Sequence, residues 1–146
     1  MNLTGQFLIS MPSVQDERFE KTVIYMCAHS NDGAMGIIIN KKIDYDLYPD
    51  LLEQLGIDKP LLNKKLYIRY GGPVESGRGF VLHSDEIIQK DTLTIAKGIA
   101  LTSTSEFFED LSKGKGPRNS ILALGYAGWG PGQIELELAS NSWMTL

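Results

Sequence analysis

The sequence predicts a single domain in which short β-strands outnumber short helices. Three observations carry this. The length of 146 residues suits one hydrophobic core. Residues 22–40 hold two β-branched, apolar runs separated by a turn sequence. Residues 103–111 carry a helix-start signal followed by an apolar helical face.

Residues 7–11 read as a short strand stopped by Pro12, and 13–20 as a polar loop. Residues 22–28 and 34–40 read as a hairpin, with His29-Ser30-Asn31-Asp32-Gly33 as its turn of about five residues. The unbroken apolar runs predict strands buried on both faces. Residues 49–55 predict a short helix, with Pro49 in its first turn, Gly56 as its cap, and Leu51, Leu52 and Leu55 on one face. Residues 59–65 form a polar connector. Strands follow at 66–70 and 80–83, and one or two more at 92–101, interrupted at Gly98.

Ser103 and Glu106 match a capping box, with Phe107, Phe108 and Leu111 as the buried face and Gly114 and Gly116 as the stop. Residues 120–125 read as a buried strand. Residues 133–138 alternate with period two, as a strand does. Pro131, the early Glu135 and the Ile134/Leu138 spacing favour a helix instead, and helix is the reading adopted. A last strand starts at Ser142.

The bulk properties narrow the function classes. Hydrophobic residues make up 42% and charged residues 22%, an ordinary globular balance. The net charge of −4 and pI near 5.1 disfavour nucleic-acid binding, which draws its affinity from Lys and Arg. One cysteine, Cys27, fits a reducing compartment. The N-terminus lacks a signal-peptide pattern and no apolar run approaches the ~20 residues that span a bilayer. The expectation is a cytoplasmic protein with no membrane partner.

Three glycine-framed blocks stand out: residues 70–75, 77–83 and 125–133. Each sets Gly beside aromatic or charged side chains, a composition suited to close backbone approach to another loop or to a ligand. With them, the chain resembles the AlgH or YqgE family of bacterial proteins. The matching stretches are Gly33-Ala34-Met35-Gly36 to Asn40, Gly71-Gly72-Pro73-Val74, Arg78-Gly79-Phe80-Val81-Leu82-His83, and Gly125-Tyr126-Ala127-Gly128-Trp129 through Gln133 and Glu135 to Asn141-Ser142-Trp143. Met11-Pro12, Asp16 and Phe19 fit the N-terminal pattern. The resemblance implies an α+β fold with a curved, mixed, largely antiparallel sheet flanked by helices. It supplies no catalytic residue and no cofactor, and the family is often labelled a transcriptional regulator. Members of that family usually continue a few dozen residues past the position of Trp143, so the resemblance implies either a natural short form or a trimmed one.

Cys27 and His29 are two apart, on one side of a regular strand, but such neighbours sit roughly 6–7 Å apart. Cys27 therefore reads as a small core residue. Ser84 and Asp85 beside His83 do not make a triad, because sequence neighbours on a strand diverge. Two histidines and one cysteine are poor material for zinc. Arg78, between two glycines and near Gly71 and Gly72, is the best binding candidate, with ion pairing to Glu75 as the structural alternative. Trp129 either anchors a partner or folds back over the core. The Lys41-Lys42 and Lys64-Lys65 pairs read as solvated.

The leading reading is a non-enzymatic binding or regulatory module. Its glycine-framed site would gather Gly71, Gly72, Arg78, His83 and Trp129, with Asn40 and Asn141 contributing, for a small anion or a protein partner. The alternatives are a DNA-binding regulator and a small enzyme using His83 and Arg78 on an anionic substrate.

Overall fold

A computed structural model describes residues 1–14, 16–43 and 67–146. The predicted helix at 49–55, the connector at 59–65 and the Lys64-Lys65 pair lie outside the described residues. The apolar hairpin forms as β2 (Val23–Ser30) and β3 (Gly33–Ile38). Its turn is tighter than predicted. His29 and Ser30 stay in the ladder opposite Ala34 and Gly33, leaving Asn31 and Asp32 to turn the chain. Gly33, at φ +137, lies against the Trp129 carbonyl, where a side chain has no room. A β-bulge at Cys27 re-phases β2 before its tip.

The predicted terminal strands are β1 (Phe7–Ser10) and β9 (Trp143–Thr145), which pair with each other. The polar loop between β1 and β2 contains one 3-10 turn, Glu17–Phe19, capped by the Asp16 carboxylate. The strand foreseen after the first glycine block is longer than predicted. Strand β5 (Val74–Ser84) absorbs the second block as well. β4 (Tyr67–Tyr70), β6 (Leu93–Ala96) and β7 (Ile99–Thr102) complete that half, with Gly98 at φ +89 in the β6–β7 turn.

Helix α1 (Ser105–Ser112) is capped one residue later than the capping box predicts. The Thr104 hydroxyl, not Ser103, accepts from the Phe107 amide, and the Ser103 hydroxyl accepts from Arg78. The strand predicted at 120–125 runs on as β8 (Ser120–Trp129). Residues 133–138 fall within helix α2 (Gln133–Ala139), which starts after Gly132 in the left-handed conformation.

Among the described residues the strands form one sheet in the order β6-β7-β5-β8-β3-β2-β1-β9. β4 runs parallel to the first half of β8 and every other pairing is antiparallel, so the sheet is mixed. The fold is therefore α+β. Alternation along β2 assigns its side chains to two buried faces. Ile24 and Met26 join Ile38, Ala127, Trp129 and Ile134 beneath α2. Tyr25 and Cys27 join Ile37, Phe80 and Leu101 on the other side. The sheet curls around that second cluster. A Cβ built on Gly5, beside β1, would lie 3.5 Å from the Ala96 Cβ of β6, from the opposite end of the strand order.

Candidate functional site

The glycine pairs meet each other. Gly71 and Gly72 pass against the backbone of Gly125, Tyr126 and Ala127 so closely that a Cβ on any of the three glycines would overlap main-chain atoms of the facing segment. Gly72 sits at φ +152 and Gly125 at φ +76, conformations that favour glycine. The interlock sets the register. Val74 pairs with Tyr126 and Gly79 with Leu124, so residues 75–78 of β5 bulge out opposite Gly125 alone.

Arg78 stands on that bulge, half exposed. Its guanidinium lies 5.0 Å from the centroid of the Phe80 ring. One terminal nitrogen donates to the Ser103 hydroxyl at 3.0 Å and the other lies 3.6 Å from a Glu75 carboxylate oxygen. The pairing with Glu75 considered as the structural alternative is thus present, in a side chain that stays half exposed. The signal that places it on Phe80 is also in the sequence, since residues two apart on a strand share a face.

Between the bulge and the β2–β3 turn lies an open groove of about 700 Å³. Met35, Phe80 and Tyr126 give it an apolar floor, while Arg78, Glu75 and Asp32 are among the rim residues. Tyr126 meets Phe80 edge-on at 5.5 Å. His29 closes one end, with its side chain 3% exposed. Its Nδ1 accepts from the Leu3 amide at 2.9 Å, so its Nε2–H donates to Glu135 at 3.1 Å. The Glu135 contact spans the chain and no local pattern announces it.

Trp129 borders the groove but buries its ring on the other face of the sheet, 6% exposed, as the fold-back alternative describes. Its indole N–H donates to Glu137 at 3.1 Å, and that of Trp143 donates to the same oxygen at 2.9 Å. His83 is elsewhere. It is 4% exposed, stacked on Phe107 of α1 at 4.6 Å. Its Nδ1–H donates to the Ser84 carbonyl, so Nε2 accepts from the Thr102 hydroxyl at 2.7 Å. Thr102 in turn accepts from Thr92, which accepts from the Gln89 amide. Every polar atom of that relay is satisfied inside the fold.

Asn40 ties two strands, its side chain accepting from Val23 and donating to the Lys21 carbonyl. Asn141 turns the chain after α2 at φ +60, and its carbonyl accepts from Ser13. The structure therefore brings Arg78 and Trp129 to one groove, uses Gly71 and Gly72 to shape the bulge beside it, and sets His83, Asn40 and Asn141 in other contacts. Cys27 is 1% exposed, and burial pushes its thiol up to about 12. Among the described residues, no three His, Cys, Asp or Glu side chains are grouped to hold a metal ion. No helix among them is long and apolar enough to cross a membrane.

Comparison with known proteins places this geometry in a lineage. A family model described as AlgH-like matches residues 7–146. A UPF0301 protein of Mesorhizobium japonicum is 48% identical over 150 residues, covering 98% of this chain and 74% of that protein. A UPF0301 protein of Rhodospirillum rubrum is 46% identical over 144 residues, covering 99% and 75%. The solution structure of the AlgH protein from Pseudomonas aeruginosa superposes with a TM-score of 0.83 at 34% identity, over 100% of this chain and 77% of that one. A Corynebacterium diphtheriae crystal structure shares the fold, with a TM-score of 0.70 at 21% identity over 98% and 74%.

Proposed function

From the premise that the chain belongs to the AlgH-like family, we propose that it is a non-enzymatic, cytoplasmic binding module whose ligand occupies the groove between the β5 bulge and the β2–β3 turn. One observation carries the reading. The Arg78 guanidinium is held on the Phe80 ring by Ser103 and Glu75, half exposed, at the rim of an apolar groove. A cation fixed before a ligand arrives loses little conformational freedom on binding, which is where much of the cost of association lies. Apolar floors with a few placed polar groups are the usual build of small-molecule sites. The ligand that fits is an apolar or planar body carrying a carboxylate or phosphate, which a guanidinium recognises by its paired donors. The groups that an enzyme would use support the same reading. The Cys27 thiol and the His83 imidazole are sealed in the core, and His29 is fixed at both nitrogens.

A thermal-shift screen against metabolites and nucleotides tests it. A ligand that prefers the folded state raises the midpoint, by an amount that follows its concentration relative to Kd. The expected hit is anionic, and Arg78→Ala abolishes its effect while leaving the unliganded midpoint within a few degrees. Hits unaffected by Arg78→Ala and by Tyr126→Ala refute the groove. Saturable binding of duplex DNA at physiological salt, with a flat metabolite screen, replaces this reading with the DNA-binding one.

A further inference from the structure

We propose that a second cavity, on the opposite side of the Trp129 strand, binds an organic ammonium cation through Glu137. The cavity measures about 550 Å³, the size range of small-molecule sites. Phe19, Trp129, Asp16, Arg18, Gln133 and Glu137 line it. It is independent of Arg78, which does not line it.

Glu137 is placed by three donors. Both indoles reach its Oε1, and the Gln133 amide reaches its Oε2 at 2.9 Å. The orientation of Gln133 is fixed in turn, because its own oxygen accepts from the Gly130 amide. All three donors are neutral. Among the described residues no Lys, Arg or His lies within ion-pair distance of Glu137. The cation that shares the cavity, Arg18, is paired with Asp16 rather than Glu137, with Nε and a terminal nitrogen both on that carboxylate, the shorter contact being 2.7 Å, and lies over the Phe19 ring. Two carboxylates and one guanidinium leave the lining with a negative charge uncompensated.

The helix adds to that field. Glu137 sits toward the C-terminal end of α2, where the aligned carbonyls are negative, and the last turn holds no basic residue. A carboxylate positioned there by neutral donors is an attractive counter-charge for a cation. The cavity walls suit the same guest. Phe19 and Trp129 give the cavity an aromatic wall, and the Arg18 guanidinium, 5.9 Å from the Phe19 centroid, is a cation already held against it. The guest is an alkylammonium group, from a free amine or from a lysine side chain of a partner.

The chain has two tryptophans, and both donate to Glu137. Their indole N–H signals in a two-dimensional ¹H–¹⁵N NMR spectrum therefore report directly on this carboxylate. Butylammonium chloride is titrated at constant ionic strength, with butanol as the neutral counterpart. The expected result is saturable movement of both indole signals with butylammonium and not with butanol. Glu137→Gln, which keeps an oxygen for the indoles, weakens binding by about tenfold or more through loss of the charge-assisted contact. Glu20→Gln, an exposed acid outside the cavity, leaves it unchanged, as does Arg78→Ala. Equal response to butanol, failure to saturate, or unchanged binding in Glu137→Gln overturns the proposal. The first two comparisons need only the unaltered protein, so a folding defect in the variant does not blunt the test. Titration with acetyl-Gly-Lys-Gly-amide, whose one cation is the lysine ammonium, separates the sources, with tighter binding than butylammonium assigning the site to protein lysines and weaker binding assigning it to free amines.

Discussion

Replacing Gly72 with alanine should be among the most damaging small substitutions in this chain. Two costs combine. At φ +152 an L-residue is strained, and such conformations cost roughly 1–3 kcal/mol. The new Cβ would also overlap the Tyr126 carbonyl and the Ala127 nitrogen, backbone atoms of β8 that cannot rotate away. Relieving that overlap means separating the two interlocked segments, and overpacking of this kind costs roughly 1–3 kcal/mol. The expected total is about 3–5 kcal/mol, a large part of the ~5–15 kcal/mol by which a domain of this size is stable. In thermal melts that corresponds to roughly 10–15 °C. Guanidinium denaturation followed by circular dichroism measures it, with an unchanged m-value showing that only stability moved. Gly77 supplies the internal control. Nothing lies within 4 Å of a Cβ added there, so Gly77→Ala should stay within about 0.5 kcal/mol of the parent. A Gly72→Ala loss below about 1 kcal/mol, or equal losses in both variants, would refute the interlock as the source of rigidity.

Other predictions follow from buried polar groups. Glu137→Ala leaves the indole N–H groups of Trp129 and Trp143 and the Gln133 amide without their acceptor, and should cost about 2–4 kcal/mol; Glu137→Gln should cost about 1 kcal/mol, as equilibrium denaturation of the pair will show. Cys27, with its thiol pushed up to about 12, should resist alkylation at neutral pH until denaturant unfolds the chain; rapid labelling of the native protein would contradict its burial. The Ser84 hydroxyl and the Arg118 amide hold the Glu86 carboxyl at about 2 instead of 4.5. Because the folded value is depressed, this stabilisation is present above pH 4.5 and is lost as pH falls toward 2; Glu86→Gln should lose less stability than the parent across that window in acid titrations.

Much of the fold could be read where local chemistry is decisive. The β2–β3 hairpin follows from its β-branched runs, and α2 from Pro131, Glu135 and the Ile134/Leu138 spacing against a period-two pattern that favours a strand. Details failed where a distant residue decided. Ser103 reads as a helix cap, but its hydroxyl accepts from Arg78, 25 residues away, and Thr104 caps the helix. The five-residue turn shrinks because Gly33 fits beneath the Trp129 carbonyl, a contact made only when β3 meets β8. The glycine blocks announced close backbone approach, and the structure shows that Gly71, Gly72 and Gly125 approach one another. The Arg78–Phe80 stack was open to a two-residue spacing argument. The convergence of Trp129 and Trp143 on Glu137 was not, since the alternation of 133–138 carries no information about where a loop returns the second indole.

The position of β8 bears on how the chain is made. This strand lies between β5 and β3, so it joins the ladder of β5, β7 and β6 to the ladder of β1, β2 and β3. On a ribosome, these six strands are all synthesised before residue 120 is added, while β9, the partner of β1, follows β8. Until β8 emerges, β3 and β5 each lack their inner neighbour, and an unpaired strand edge is the kind of surface that invites pairing with the wrong chain. At synthesis rates of about 5–20 residues per second, the interval from the end of β7 to the end of β8 lasts roughly one to five seconds. Holding factors that shield extended backbone would find this nascent chain most receptive during that interval, and slow codons placed there would lengthen its exposure.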